Sequence, residues 1–531
     1  MSSLTGLGAL VRFTIRRDRG RLLVWVLVLT VVIGISAWNL RSVYATQQSI
    51  DSYVQLFGGN PALIAFAGPG FGFDDPTIGV ILVNETQLWG MIALALMSIF
   101  LVNRQTRAEE DTERIELVLS NAVGRHAPTT ASMVVVTGTE LLICAASAVI
   151  FIIAGYPVIG SISLSLSFLV VGLVFVGVTA AAAQFFSTGR ATTGASLMVL
   201  LIAFIARAIG DIGHNALTWT SPIGWGQSVR SFADERWWPF ALCGLAAIGL
   251  VAGSFWLSNH RDLGAGFIST RPGRASATRT LTDPFGFALR LQRGLIGIWM
   301  IGLFLTGYVF GAIANDVDAM VRDNPQFADI FAQMGQGSIT DSYLATSMAM
   351  LGLMAGGFGI AAMLAPSNEE RSGRLELVLS RRVGRFRWIA SHLAIAALGT
   401  IALMVCAGLG VGVAYARVVG DAGQIPRLVR AALVTVPAAF VFIGIVVVVF
   451  GFLPKAIMLA WVPLAVTAIV VFFGELLELP NWALHLSPFE FLPAVPAESL
   501  QAWPLVWLSV IGLAGVAVGL WGFTRRDIAV T

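Results

Sequence analysis

The stretch PFALCGLAAIGLVAGSFWLS, residues 239–258, is twenty residues long and carries no charged side chain. A run of about 20 apolar residues is the length at which an α-helix crosses the hydrocarbon core of a bilayer. A second such run occupies residues 504–523. Each begins at a proline that follows a tryptophan, and each is followed by an Arg-Asp pair, at 261–262 and 526–527. The pattern predicts a membrane-spanning helix that is present twice.

Apolar runs of this kind recur along the chain. Hydrophobic residues make up 56% of the sequence, against about 45–50% in soluble domains. Because the bilayer core offers no water, each segment must satisfy its own backbone hydrogen bonds, which favours helices. The sequence therefore predicts an all-α polytopic membrane protein with twelve transmembrane helices. The predicted spans are 22–38, 88–102, 131–155, 162–186, 191–209, 239–258, 295–314, 343–365, 388–414, 431–453, 456–473 and 504–523.

The chain contains an internal repeat. An Arg-Gly pair followed by a tryptophan opens both halves, at 19–25 and at 293–299. Each half holds six predicted spans in the same order and with the same faces inside, which indicates parallel repeats. The predicted organisation is a first six-span domain at 1–262, a cytoplasmic linker rich in Gly, Ser, Thr and Arg at 263–282, and a second six-span domain at 283–531.

A charged motif follows the second span of each half. It is EEDTERIELVLS at 109–120 and EERSGRLELVLS at 369–380, and both copies continue to Val-Gly-Arg. Eleven of the seventeen positions in 109–125 are identical to their counterparts, in a chain with only 12% charged residues. A solvated loop is the alternative interpretation. The acids that both copies share favour a contact outside the membrane, because the orientation of the chain in the membrane depends only on the arginines.

The motif predicts a short cytoplasmic helix that begins at the acids. Carboxylates at a helix start complement the helix dipole, and Glu110–Arg114 and Glu370–Arg374 have the i,i+4 spacing of favourable ion pairs. The apolar Leu-Val-Leu end would fit a groove on a soluble partner. The residues expected to couple to that partner are Glu109, Glu110, Arg114, Glu116, Glu369, Glu370, Arg374 and Glu376.

The motif resembles the signature of ABC-2 type permeases, the membrane subunits of ATP-binding-cassette exporters. The fused twelve-span form is similar to actinobacterial tetronasin and polyketide-antibiotic exporter permeases and to mycobacterial multidrug exporter permeases. The resemblance covers nearly the whole chain. It implies that each copy forms a coupling helix docked on a separate soluble ATPase, two copies of which bind ATP and Mg. The first copy departs from the family pattern at Thr112-Glu113, where the second has Ser372-Gly373.

The sequence itself excludes a phosphate-binding loop in this chain. Its only lysine is Lys455, which follows Pro454, whereas the Gly-x-x-x-x-Gly-Lys loop needs a lysine after a glycine. ATP hydrolysis is therefore expected on the partner, and neither a cofactor nor a metal site is expected here. A membrane-embedded enzyme is disfavoured, because His, Asp and Cys residues form no cluster in the sequence.

Arginine placement predicts the orientation. With Met1 in the cytoplasm, the predicted inside segments hold 25 of the 33 Lys and Arg residues, which is the positive-inside pattern. Both termini are then cytoplasmic, and the chain lies in the plasma membrane of a bacterial cell. The net charge of +3 is accounted for by a basic inner rim that faces anionic lipid. No nucleic-acid partner is expected.

Short helices are predicted outside the spans. Apolar residues at helical spacing in 4–15, with arginines on the other faces, predict an interfacial helix before the first span. A similar helix is predicted at 285–292, after the cap Asp283. The Asn-Pro pairs at 60–61 and 324–325 predict the starts of short external helices.

Polar residues inside the spans are the candidates for a substrate path, because they are costly in a bilayer. The candidates are Glu140 in the third span and Asn84 and Glu85 near the start of the second. Glu140 lies about nine residues into its span, roughly 14 Å at 1.5 Å per residue, which is too deep to reach the interface. Arg207 and His392 lie near span ends and are expected to snorkel to the interface.

Together these features predict the permease of an ATP-dependent exporter for a hydrophobic or amphipathic small molecule, such as a drug or antibiotic. Export is implied by the resemblance. The alternative is a proton- or ion-coupled secondary multidrug carrier, since twelve spans in two parallel halves also describe that class. A carrier requires several intramembrane acids, whereas only Glu140 lies deep in a predicted span. The carrier hypothesis also gives no reason for two matched acidic motifs.

Overall fold

The chain folds into two compact units, Met1–Gly273 and Arg274–Thr531, each with its own hydrophobic core. Their boundary falls inside the predicted linker at 263–282, most of which lies outside the described residues. The computed structural model describes residues 2–57, 61–262, 264–268, 276, 278, 281–323, 339–380, 383–473 and 480–527.

The first unit consists of long helices joined by short ones. Among its described residues, six helices are long and apolar enough to cross a membrane. They are α1 (Leu7–Val43), α4 (Ile78–Gln105), α7 (Ala127–Ile153), α8 (Val158–Phe185), α9 (Gly189–Ile212) and α11 (Trp238–Asn259). The short helices are α2 (Gln47–Phe57), α3 (Pro61–Ala67), α5 (Arg107–Asp111), α6 (Arg114–Leu119) and α10 (Pro222–Gln227). Helix α8 is central, because α4, α7, α9 and α11 all pack against it.

The second unit repeats this plan, and its described part again contains six membrane-length helical segments. The segments are α12 (Pro284–Asp323), α13 (Ile339–Arg371), α15 (Arg385–Val419), α16 (Gln424–Val434) with α17 (Val436–Phe452), the 3-10 helix Pro454–Ala460 with α18 (Trp461–Phe473), and α20 (Ala502–Arg525). Two short helices are α14 (Arg374–Leu379) and α19 (Asn481–Leu484). Every predicted span overlaps one of the membrane-length segments, which confirms an all-α polytopic membrane protein.

The helix predicted at 4–15, before the first span, is confirmed from Leu7 onward, where it is continuous with the first span as α1, which runs unbroken to Val43. No proline interrupts it, and Asp18, which would be costly in a long apolar helix, is compensated by Arg17 at 3.3 Å and Arg104 at 3.1 Å. The helix predicted at 285–292 is likewise the start of α12, and its cap is confirmed, since Asp283 Oδ2 accepts a hydrogen bond from the Phe285 amide at 3.0 Å.

The short helix predicted after 60–61 is confirmed as α3, which begins at Pro61; its external side stays a prediction. Its predicted counterpart after 324–325 lies outside the described residues.

Helices α17 and α20 cross closely through glycines. A Cβ atom at Gly451 would lie 2.2 Å from the carbonyl oxygen of Gly519, and a Cβ at Gly519 would lie 2.4 Å from the backbone of Val447. Small residues at a crossing let two helix backbones approach this closely. The crossing holds the end of α20, and with it Arg526, close to α17.

Candidate functional site

The two motif copies share a bend between their acids and their apolar end. Glu109 and Glu110 lie in the first turn of the short helix α5, as predicted, whereas Glu369 and Glu370 lie in the last turns of α13 and therefore end a helix. The chain then reverses at a residue with positive φ, +58° at Glu113 and +70° at Gly373, before the six-residue helices α6 and α14 begin. A left-handed residue is a common way to end a helix.

One acid of each copy is bound to the arginine of the closing Arg-Asp pair. Arg261 donates to Glu110 Oε1 at 2.7 Å and to Oε2 at 3.0 Å. Arg526 donates to both oxygens of Glu370 at 2.6 Å. Such two-point arginine–carboxylate contacts are the stronger, geometrically specific kind. Each ties the motif to the end of the last span of its unit, α11 or α20.

The predicted i,i+4 pairs Glu110–Arg114 and Glu370–Arg374 are wrong. The left-handed residue between the members of each pair breaks the helical register that i,i+4 spacing assumes. Glu110 and Glu370 instead face inwards, with side chains 13% and 9% exposed.

The arginine of Val-Gly-Arg binds the same closing segment. Arg125 donates to the carbonyl oxygens of Ser258 at 2.6 Å and Arg261 at 2.7 Å. In the second unit Arg385 donates to the carbonyl oxygen of Arg526 at 3.0 Å. Three repeated sequence features, the acid pair, Val-Gly-Arg and Arg-Asp, thus form one cluster in each unit. Sequence reasoning noted all three and missed their contact, although their shared order in both halves was a signal for it.

The first copy has an additional buried cation. Arg107 is fully buried and pairs with Glu110 at 2.5 Å. It also donates to the backbone carbonyls of Ser187 at 2.7 Å, Gly264 at 2.7 Å and Ala265 at 3.0 Å. The equivalent position of the second copy, 260 residues later, is a serine. The first motif is therefore fastened to its unit by more ionic contacts than the second.

The remaining acids are held differently in the two units. Glu109 pairs with Arg17 of α1 at 3.1 Å, whereas Glu369 pairs with Arg374 of its own copy at 3.2 Å. Neither is exposed at the outer surface of the motif, since their side chains are 15% and 11% exposed. Glu109, Glu110 and Glu370 thus tie the motif to other helices of their unit, whereas Glu369 is held within its own copy.

The outward face of each copy is a short, mixed apolar and charged surface. We call residues 111–117 the first tip and residues 371–377 the second tip. Leu117 is 74% exposed and its counterpart Leu377 is 73% exposed. The candidate coupling residues that share this outward face are Arg114, Glu116, Arg374 and Glu376.

Glu140 lies in the interior of the first unit. It is fully buried, and one of its oxygens accepts a hydrogen bond from the Ser98 hydroxyl of α4. A Cβ atom at Gly172 of α8 would lie 2.5 Å from Glu140 Oε1, so this glycine leaves the space that the carboxyl group occupies. The repeat places Thr400 or Ile401 at the corresponding position of the second unit. The buried acid therefore has no equivalent there.

Asn84 and Glu85 form a separate cluster with an external tyrosine. Tyr53 of α2 donates to Glu85 Oε1 at 2.7 Å and accepts from Asn84 Nδ2 at 2.8 Å. Burial, together with the Glu85 carboxylate, raises the pKa of the Tyr53 hydroxyl. Asn84 lies 14 residues before Ser98 on the same helix, roughly 21 Å at 1.5 Å per residue. The structure therefore does not bring these two residues into one site with Glu140.

The prediction that Arg207 and His392 snorkel is wrong. Arg207 is fully buried, donates to the carbonyls of Ile64 at 3.2 Å and Ala65 at 2.6 Å, and pairs with Asp211 at 3.4 Å. His392 is also buried, with Nδ1 3.0 Å from the side-chain amide nitrogen of Gln292. Both polar groups find partners inside the protein, so neither needs to reach the interface.

The repeated apolar helices and the repeated ionic cluster define a multi-pass α-helical permease of the membrane. The family model for the C-terminal domain of the multidrug efflux system permease Rv1217c matches residues 281–524. The multidrug efflux system permease protein Rv1217c of Mycobacterium tuberculosis (strain ATCC 25618 / H37Rv) is 34% identical over 530 residues, which cover 99% of this chain and 96% of that protein. The chain belongs to the Rv1217c permease family, and the expected resemblance to mycobacterial multidrug exporter permeases is confirmed.

Proposed function

We propose that this chain is the permease subunit of an ATP-binding-cassette exporter that moves hydrophobic or amphipathic, drug-like molecules out of a bacterial cell. The relative Rv1217c is named as a multidrug efflux permease, which supports the substrate class. The single lysine, outside any phosphate loop, supports ATP and Mg binding on a separate subunit. In this proposal the domains are 1–262 and 283–531, joined by 263–282. Both termini are cytoplasmic, and the chain lies in the plasma membrane.

The observation that carries the proposal is the pair of matched tips. Each presents an exposed leucine, Leu117 or Leu377, beside an exposed arginine and glutamate at identical spacing. A single exposed leucine is common at protein surfaces, but its recurrence at the same place in both units, beside the same charges, is explained if one kind of partner covers both. We assign the cover to two copies of a soluble ATPase subunit, one on each tip, because two matched surfaces call for two matched partners.

The anchoring contacts give a physical route from the tip to the membrane. A force on the first tip passes through Glu110 to Arg261 at the end of α11, and a force on the second passes through Glu370 to Arg526 at the end of α20. Two-point contacts resist rotation as well as separation. In this proposal Glu109, Glu110, Glu369 and Glu370 position the tips, and Arg114, Glu116, Arg374 and Glu376 contact the ATPase.

The polar residues of the first unit are proposed to line the substrate path. Glu140 would contact substrate within the helix bundle, and Asn84 and Glu85 at the external cluster with Tyr53. The buried Glu140 is also the observation that favours the alternative, a proton-coupled carrier. Transport in vesicles decides between them. ATP-free transport that a protonophore abolishes, and that Glu140→Gln removes, would support the carrier.

The ATPase proposal is tested by replacing the exposed leucines. The variant Leu117→Asp/Leu377→Asp is co-expressed with the candidate ATPase subunit, a soluble protein with a phosphate loop to be sought in the neighbouring reading frames, and co-purification and stimulated ATP hydrolysis are measured. Loss of both is expected, because a carboxylate cannot enter an apolar socket. Leu500→Asp is the control, since Leu500 is 63% exposed but lies in the loop before the last span, on the predicted outer side. Unchanged assembly with the double variant would refute the docking assignment.

A further inference from the structure

The two tips share a shape but not a charge. Their leucines are equally exposed, and both bend at a left-handed residue. Position 111 is aspartate where 371 is arginine, and position 113 is glutamate where 373 is glycine. Three carboxylates and one guanidinium give the first tip a net charge of −2, and two guanidiniums and one carboxylate give the second tip +1. The difference is three elementary charges within seven residues.

The surrounding residues offset this difference only in part: Asp111 lies 3.9 Å from Arg107 and accepts a hydrogen bond from the Gly189 amide at 2.6 Å, and its side chain remains 30% exposed. The inner acids of both copies are paired with arginines. Arg374, although it contacts Glu369, keeps a side chain that is 64% exposed. The start of a neighbouring helix contributes one exposed cation in each unit, Arg190 at the start of α9 and Lys455 in the 3-10 helix Pro454–Ala460. In sequence, the next two residues widen the gap, since the second copy continues with two arginines where the first has Asn-Ala.

We infer that the two tips bind identical ATPase subunits with unequal affinity, and that the inequality is electrostatic. This inference rests on the proposed function and specifies how its two docking points differ. The common leucine, arginine and glutamate fit one kind of socket, so identical subunits can occupy both tips. A socket of either sign complements only one of the two net charges. Exposed charge pairs contribute modestly, and three charges together correspond to a difference of about tenfold in affinity at low salt.

The same substitution at equivalent positions tests this inference. Glu116 and Glu376 are both exposed. Glu116→Lys moves the first tip from −2 to 0, close to the second. Glu376→Lys moves the second tip from +1 to +3, further from the first. The ratio of the two affinities is therefore expected to narrow in the first variant and to widen in the second. This expectation holds whether the ATPase socket is acidic or basic.

The measurement is a titration of the full-length permease in lipid nanodiscs with the same purified candidate ATPase, followed by native mass spectrometry. The wild-type chain is expected to bind two subunits with affinities about tenfold apart in ~20 mM salt. The two affinities should converge in ~0.5 M salt, where the screening length falls to a few ångström. The variants Glu116→Gln and Glu376→Gln, each with half the charge change, should give intermediate ratios.

Three outcomes would overturn the inference. One is a single affinity class at low salt, and another is a ratio that both lysine variants move in the same direction. The third is an inequality that persists unchanged in high salt, since screening must weaken an electrostatic effect. Absence of any ATPase binding by the wild-type chain, or binding unaffected by the double leucine variant, would instead refute the proposed function itself.

Discussion

The substitution of glutamate by glutamine is expected to destabilise the permease more at Glu110 than at Glu370. Glu370 faces one guanidinium, that of Arg526, whose side chain is 15% exposed. Glu110 faces two, Arg261 at 7% exposure and the fully buried Arg107. The amide retains the size of the side chain but removes its charge. The two variants therefore differ mainly in how many buried cations lose their closest carboxylate.

The expected magnitudes follow from this burial. Arg526 retains access to solvent, so the loss at Glu370 corresponds to about 1–2 kcal/mol, between the values for exposed and buried pairs. Arg107 has no such access and would keep only the Asp111 carboxylate at 3.9 Å, so removing its closer partner costs about 3–4 kcal/mol, toward the lower end of the range for a broken buried pair. The difference of about 2 kcal/mol corresponds to roughly 4–8 °C in the midpoint of thermal unfolding of a unit of this size.

The assay is intrinsic tryptophan fluorescence during heating of the purified permease, which has 15 tryptophans. Glu116→Gln and Glu376→Gln are the matched controls, since they make the same chemical change on the exposed face and should shift the midpoint little. Arg107→Met added to Glu110→Gln should recover part of the loss, because it removes the orphaned charge. Equal shifts for the two anchor variants, or a larger shift at Glu370, would refute the role given to Arg107.

Three further substitutions have defined expectations in the same thermal assay. Glu113→Gly should stabilise the first unit by about 1 kcal/mol, because the residue has a φ of +58° that glycine adopts without strain; an unchanged or lower midpoint would contradict this. Gly172→Ala should destabilise the first unit by about 1–2 kcal/mol, because the new methyl group crowds the buried carboxyl group of Glu140. Gly138→Ala is its control and should leave the stability unchanged, because a Cβ atom there meets nothing within 4 Å. Gly451→Ala should destabilise by about 3 kcal/mol, since its new methyl group meets backbone, and Gly249→Ala is the open control; equal midpoints within either alanine pair would show that the predicted contact is absent.

The spans could be predicted from the sequence because burial in lipid requires about 20 apolar residues regardless of tertiary packing. The ion pairs inside the motif could not be predicted in the same way, because the i,i+4 rule assumes an unbroken helix. Gly373 was the available signal, since a glycine after a charged helix end is a common left-handed terminator. Because position 113 corresponds to position 373 in the repeat, Gly373 would also have predicted the bend at Glu113, although glutamate does not itself indicate a left-handed residue.

Partners supplied by tertiary packing explain the other differences. Arg207 lies near a span end, so snorkelling was the local expectation. The carbonyl groups at the end of α3, some 140 residues earlier in sequence, receive its hydrogen bonds. The contact of Glu110 with Arg261 likewise spans 151 positions. Rules based on local sequence patterns cannot predict contacts between residues so far apart in the sequence. The presence of equivalent groups in both halves nevertheless limits which residues could pair.

The comparison of the two copies separates anchoring from docking. The inward acids are identical in both copies because each must meet an arginine at the end of the last span. The outward arginine, glutamate and leucine are identical although they face solvent, which is explained if one kind of partner covers both. The outward charges at 111 and 371 differ, and no internal contact requires them to match. A permease assembled from two identical six-span chains would present two identical tips. Fusion of both units in one chain removes that constraint, so unequal coupling becomes a property that the sequence can encode.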